Sequence, residues 1–159
     1  IVKDKLSYVQ GDRSLVGCIL CAIRDRKKTV KSLEIYRGDY FIAALNLYPY
    51  NPGHLLLFPI RHIEQLDGLK KKEWLEYIYL QGVVMKLVMQ TYGADSFNIG
   101  INVGPESGAS IPHLHFHIVP RYRNEIGVVE IISGAKILVE SPDVMVKKLK
   151  RRIKKLIKQ

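Results

Sequence analysis

A chain of 159 residues and 18.2 kDa suits one domain with a core of its own, and 47% hydrophobic against 25% charged residues excludes a disordered polymer. No apolar run approaches the roughly 20 residues needed to span a bilayer. The formal net charge of +10 would suggest nucleic acid as partner, but residues 144–159 hold eight cations and no acid; the rest carries about +2 (10 minus 8), which excludes a body built as a general polyanion binder.

The opening I-V-K-D-K-L-S-Y has neither a secretory apolar core nor an initiator methionine, so a trimmed, cytoplasmic chain is expected. Residues 17–21, G-C-I-L-C, contain the only two cysteines, Cys18 and Cys21. Alone, this Cys-x-x-Cys fits half a zinc site, a redox pair or two buried thiols, and a structural disulfide is disfavoured in a reducing compartment. Zinc would need two further ligands from among His54, His62, His113, His115 and His117.

Polar residues 24–32 predict an exposed loop. Residues 33–37 and 40–46 predict two short strands around a Gly38-Asp39 turn. L-Y-P-Y-N-P-G at 47–53 breaks regular structure, and 54–60, H-L-L-L-F-P-I, predicts a central strand apolar on both faces. Residues 69–92 predict one long helix. Its apolar surface is wider than one stripe, so it is expected to pack on a sheet and on something else; a second subunit is the economical choice, with intrachain burial as the alternative. Gly93 ends that helix, residues 96–103 alternate as a fourth strand, and the small-residue loop 104–111 offers backbone N–H groups to an anion. Further on, 128–132 and 135–140 predict an extra hairpin. Pro142 and Asp143 start a C-terminal amphipathic helix with Val146, Leu149, Ile153 and Leu156 on one side and eight cations on the rest. A docked helix with a solvated basic face is favoured over an RNA or membrane contact.

Residues 111–121 read I-P-H-L-H-F-H-I-V-P-R. As a strand, this places His113, His115 and His117 in one row about 6–7 Å apart, with Leu114, Phe116 and Ile118 on the opposite face. Valine, isoleucine or threonine would suit a strand better, so the histidines point to chemistry. A neutral imidazole can attack phosphorus while its neighbours hydrogen-bond the phosphoryl oxygens, and His115, with a donor on each side, is the natural nucleophile. A three-histidine hydrolytic zinc site is disfavoured, because His113 and His117 would lie roughly 13 Å apart on a straight strand.

His113-Leu114-His115-Phe116-His117-Ile118-Val119 resembles the His-φ-His-φ-His-φ-φ signature (φ apolar) of the histidine triad (HIT) nucleotide hydrolases and transferases. The resemblance extends to N-P-G-H at 51–54 and N-x-G at 102–104. It is strongest to the diadenosine tetraphosphate hydrolase and phosphorylase (ATP adenylyltransferase) branch, and covers about residues 18–121. It implies an α+β fold with an antiparallel sheet, here about five strands with one long helix and the basic C-terminal helix, in a single domain 1–159 whose core is about 18–121 with an extension at 122–159. It also implies a homodimer and cleavage of dinucleoside polyphosphates at the α-phosphate through a nucleotidyl-histidine, with water or phosphate as acceptor.

By position, the resemblance makes His115 the nucleophile and His117 its phosphate-contacting neighbour. Asn46 matches a ribose contact, and His54, Asn102, Gly108 and Ser110 match positions around the phosphates. Some members carry structural zinc on residues corresponding to Cys18, Cys21, His62 and His113; no organic cofactor is expected. Ala109 departs from the glutamine often found there. Alternatives are cleavage of adenosine phosphoramidates or AMP-lysine with the same residues, or a non-catalytic nucleotide- or RNA-binding module using the basic helix. Expected partners are adenine nucleotides and a second copy of the chain, with nucleic acid not favoured and no membrane.

Overall fold

The computed structural model describes residues 17–107, 111–123 and 140–157. Along the chain run α1 (Ile19–Arg24), β1 (Glu34–Arg37), β2 (Phe41–Leu45), β3 (Leu55–Pro59), α2 (Lys71–Tyr92), β4 (Ser96–Ile101), β5 (Phe116–Arg121) and α3 (Pro142–Ile157). The strands form one antiparallel sheet in the order β1-β2-β3-β5-β4. The expected α+β architecture is the observed one.

Side-chain parity divides this sheet into two faces. Phe41, Ala43, Leu45, Leu55, Leu57, Phe116 and Ile118 point to one face, where Tyr77, Leu80, Val84, Leu87 and Val88 of α2 complete the main core. Ile42, Ala44, Leu56 and Phe58 point to the other, where Leu20 of α1 joins them in a smaller cluster. Both β2 and β3 are buried along their whole length, as expected of central strands covered on both sides. His117 pairs with Leu56 across the β3–β5 ladder, so it shares the face of the smaller cluster.

The β1–β2 turn is clamped to α2. Glu76 accepts the backbone N–H groups of Tyr40 and Phe41 at 3.1 and 2.9 Å, and Gly38 N–H bonds Phe41 O at 2.9 Å. A Cβ on Gly38 would lie 2.1 Å from the Glu76 carboxylate, so any side chain there would push that carboxylate off its two backbone donors. At the start of α2, the buried Glu73 accepts the Lys70 N–H at 2.7 Å and both Arg61 donors at 2.8 and 2.7 Å. Helix α2 ends at Gly93 in the left-handed region (φ 69°).

Helix α3 docks through Met145, Val146, Leu149 and Ile153, against α2 and β1; Lys148 pairs with Glu140, and Arg152 donates to Gln90 O of α2 at 2.7 Å. It therefore covers part of the apolar surplus on α2. Leu75, Ile78, Tyr79 and Met89 of α2 remain exposed.

The histidine segment departs from expectation. Its strand begins at Phe116, and residues 111–115 are irregular, so the three histidines do not form one strand row. Pro112 has no N–H to give a ladder, His113 N–H turns back to Ile111 O at 2.9 Å, and Leu114 N–H bonds Ile63 O at 2.7 Å. A further difference is α1, a short helix where only a Cys-x-x-Cys and the start of a loop were expected. The hairpin expected at 128–140 falls outside the described residues, apart from Glu140.

The clamp yields a prediction. Gly38→Ala displaces Glu76 from two backbone donors and should lower unfolding free energy by about 1–3 kcal/mol in urea titration. An unchanged midpoint would rule the clamp out as a stabilising element.

Candidate active site and adjoining metal-ligand cluster

His54 is placed by the turn before β3. Gly53 adopts φ 80°, and a Cβ there would meet Val88 at 3.0 Å and Tyr92 at 3.1 Å, so the turn is pressed against α2. Asn51 ties it to β5 through a 2.7 Å bond to Pro120 O, and Asn46 N–H bonds His54 O at 2.9 Å. The result is a fully buried imidazole facing His117, with His54 Nε2 and His117 Nδ1 3.0 Å apart.

Backbone partners assign the ring protons. Tyr50 N–H donates to His54 Nδ1 at 3.1 Å, so His54 carries its proton on Nε2 and donates it to His117 Nδ1. His117 must then carry its proton on Nε2. His115 Nδ1 lies 2.7 Å from the His113 carbonyl, so Nδ1–H donates there and Nε2 keeps its lone pair. The His115 and His117 rings are 5.0 Å apart. One imidazole thus offers a lone pair and its neighbour an N–H.

Burial keeps these rings neutral. It pushes His54 down to about 3, with further opposition from His117 and His115, and it pushes His117 down to about 4, reinforced by His115. Burial also lowers His115, against the opposing hydrogen bond to the His113 carbonyl.

His115 and His117 open onto a cavity with two kinds of wall. Ile19, Leu20 and Ile23 of α1, with Leu33, Ala44 and Leu56, make an apolar slot; Asn46, Asn102, Tyr48 and Tyr50 supply polar groups near the histidines. A flat apolar group with an attached polar, phosphate-bearing portion fits this division. Of the expected contacts, Asn46, Asn102, His115 and His117 line the cavity, and His54 stands behind His117. Gly108 and Ser110 lie outside the described residues.

The α1 wall and the two tyrosines were missed from sequence. Two tyrosines in a proline-rich turn were the available signal for the latter.

His113 belongs to a second cluster. Its Nε2–H donates to Pro59 O at 2.9 Å, which leaves Nδ1 facing Cys18 Sγ at 3.4 Å and Cys21 Sγ at 3.6 Å. His62 Nδ1 is 3.3 Å from Cys21 Sγ, and the four candidate ligand atoms all lie within 4.8 Å of one another. In a tetrahedral site with metal–sulfur bonds of about 2.3 Å and metal–nitrogen bonds of about 2.0–2.1 Å, sulfur and nitrogen sit about 3.5 Å apart. The observed sulfur–nitrogen separations fit that figure, and the Pro59 carbonyl fixes the His113 tautomer as an outer partner of a metal ligand does. Cys18, Cys21, His62 and His113 can therefore hold a metal ion.

A model of the HIT domain matches residues 27–124. The AP-4-A phosphorylase of Mycobacterium tuberculosis (strain H37Rv) is 36% identical over 109 residues, 68% of this chain and 56% of the relative. The bis(5'-adenosyl)-triphosphatase of Saccharomyces cerevisiae (strain S288c) is 40% identical over 103 residues, 64% of this chain and 50% of the relative. The chain thus spans about half the length of these curated relatives. Among solved structures, a Zn-bound histidine triad family protein from Mycobacterium smegmatis shares the fold, with a TM-score of 0.72 and 22% identity over 89% of this chain and 96% of that one. With a family model spanning well over half of its residues, the chain belongs to the HIT domain family.

Proposed function

We propose that the chain is a nucleotide hydrolase or nucleotidyltransferase that cleaves dinucleoside polyphosphates at the α-phosphate. The observation that carries this reading is the opposed protonation of His115 and His117, a lone pair beside an N–H at the end of an apolar slot. The names of the relatives, a phosphorylase and a triphosphatase acting on adenosine-bearing polyphosphates, support it from outside.

One nucleoside takes the slot, with its ribose at Asn46. His115 Nε2 attacks the α-phosphorus, the bond from phosphorus to the bridging oxygen breaks, and the electron pair leaves on the departing nucleoside polyphosphate. That leaving group is stable as an anion near neutral pH, so a hydrogen bond from His117 Nε2–H suffices and no full proton transfer is required. The nucleotidyl-imidazolium carries positive charge on His115, which the 2.7 Å bond from Nδ1–H to the His113 carbonyl disperses. Water or orthophosphate then attacks the same phosphorus, breaks the nitrogen–phosphorus bond and returns His115 to its neutral form, the acceptor's proton passing to solvent. Asn102, which lines the cavity, contacts the phosphates.

The second cluster is a structural zinc site. When bound, zinc supplies a fixed anchor for His113 and no part of the reaction. The exposed Leu75, Ile78, Tyr79 and Met89 on α2 support a homodimer, since a row of large apolar side chains on one helix is best covered by a second copy.

Three outcomes are expected. His115→Asn should lower hydrolysis of diadenosine tetraphosphate by about 10⁴-fold or more while retaining nucleotide binding by calorimetry; near-wild-type turnover would remove the nucleophile assignment. Comparing that substrate with an adenosine phosphoramidate, with and without phosphate and with products identified by mass, separates the branch chemistries.

His54 and His117 titrate below their unfolded values near 6.5, so the unfolded chain binds more protons between about pH 4 and 6.5. Their contribution is complete above pH 6.5 and is lost as pH falls toward 4. The urea midpoint should decline across that window, and less steeply in the His54→Gln/His117→Gln variant; equal slopes would contradict burial as neutral rings.

Metal analysis should find one zinc per chain, with Cys18→Ser losing zinc and lowering the melting temperature. Full metal content in Cys18→Ser would exclude this ligand set.

A further inference from the structure

The apolar slot runs from the histidines toward one edge of the sheet. Strand register sets His117 of β5 beside Leu56 of β3, Leu56 beside Ala44 of β2, and Ala44 beside Glu34 of β1. Three strand spacings of about 4.8 Å therefore separate the reacting end from the β1 edge. Leu33 O accepts the Leu45 N–H at 2.9 Å, which extends the β1–β2 pairing toward Lys31, two residues earlier. Lys31 lines the cavity, and among the described lining residues it is the only one with a lysine, arginine or carboxylate side chain. A single cation thus marks the end of the slot remote from His117.

We propose that Lys31 reads the base held in the slot and favours a 6-oxopurine, so that guanosine is preferred there over adenosine. This assignment rests on the dinucleoside polyphosphate reading given above and narrows its substrate class to polyphosphates that carry at least one guanosine.

The path of a bound nucleotide brings its base to Lys31. With the α-phosphate at His115 and the ribose at Asn46, which directly follows β2, the base extends between α1 and the sheet toward β1. In a purine the substituent on C6 lies at the end remote from the sugar. Guanine places a carbonyl oxygen there, an acceptor next to the N7 acceptor, whereas adenine places an amino donor. An ammonium has three donors and no acceptor. Lys31 can therefore bond guanine O6, while the adenine amino hydrogens face a group of their own polarity. The aliphatic walls at that end, Ile23 and Leu33, have no side-chain polar group to offset the mismatch.

The ammonium is held at the rim without being used up. Lys31 Nζ donates to Asp143 Oδ2 at 2.9 Å, with the two side chains 47% and 64% exposed. An ion pair this exposed contributes little energy, and it engages one of three N–H donors, so a base can take another while the pair stays formed. Asp143 lies in the first turn of α3, which gives the C-terminal helix a contact with a slot residue.

The first test is calorimetry of the full chain with AMP, GMP and IMP, which have one nucleoside and no bond that the enzyme cleaves. GMP and IMP should each bind about ten-fold more tightly than AMP. Lys31→Met keeps the aliphatic stem and removes the donor, and it should bring all three affinities together; Lys31→Arg should keep the preference. Asp143→Asn breaks the ion pair but leaves the donor, and should keep it as well. The AMP affinity of each variant reports whether the slot is intact.

The second test is the cleavage of a mixed tetraphosphate with adenosine at one end and guanosine at the other. Attack on the phosphorus of the nucleotide in the slot expels the other end, so guanosine in the slot yields ATP with GMP, or with GDP when phosphate is the acceptor. Adenosine in the slot yields GTP with AMP or ADP. ATP should exceed GTP about ten-fold, and Lys31→Met should equalise them.

Equal binding of AMP and GMP by the parent chain, or a preference that survives Lys31→Met, overturns the assignment. IMP that binds like AMP also overturns it, because the 2-amino group would then be what is read. A preference lost equally in Asp143→Asn does the same, since the ion pair would then set it. A chain that prefers GMP but cleaves no dinucleoside tetraphosphate overturns the enzymatic reading and leaves the base assignment standing.

Discussion

The 2.7 Å hydrogen bond from His115 Nδ1 to the carbonyl of His113 is the contact on which the rest of the site depends. It decides which nitrogen of His115 has a lone pair, and it turns that nitrogen toward the cavity. A regular strand could not provide it, because a strand carbonyl is committed to its neighbour. The irregular stretch before β5 frees the carbonyl, and Pro112 is one reason that stretch is irregular. The break in the strand is thus what lets the His113 carbonyl set the tautomer of His115.

The same residue joins the two clusters. The His113 side chain faces Cys18 and Cys21, while its backbone oxygen orients His115. Across the sheet, His54 repeats the logic with a different donor: a backbone N–H from the 47–53 turn sets its tautomer, which sets that of His117. Both chains of protons end at main-chain groups, which do not titrate. Burial lowers the affinity of the rings for further protons, so the pattern holds across the neutral range.

Much of this was legible in the residues. The apolar run at 54–60 marked the central strand, the 3.6 period at 69–92 marked the long helix, and alternation of histidine with apolar residues marked the site. Alternation also misled. It implied a strand from residue 111, whereas Pro112 and the bond from Leu114 to Ile63 O, a contact between segments far apart in sequence, start the ladder later. Local pattern does not carry such contacts. The cavity wall built by α1 was hidden for a similar reason: a six-residue helix has too few turns to show a period, and Ile19, Leu20 and Ile23 gain their role only when the cysteines draw the segment against His113. Tyr50 looked like part of a breaker segment because its importance comes from what the turn is folded against.

The short helix α1 carries both Cys21 and the aliphatic wall of the slot, with Cys18 as its N-terminal cap. A six-residue helix has little stability in isolation, so an ion held by its thiols and two imidazoles would also hold up one side of the cavity. Occupancy of one site would then be thermodynamically linked to affinity at the other. By reciprocity, a ligand bound in the cavity would tighten the grip on the ion, so the level of free metal in the surroundings would bear on how firmly that wall stands.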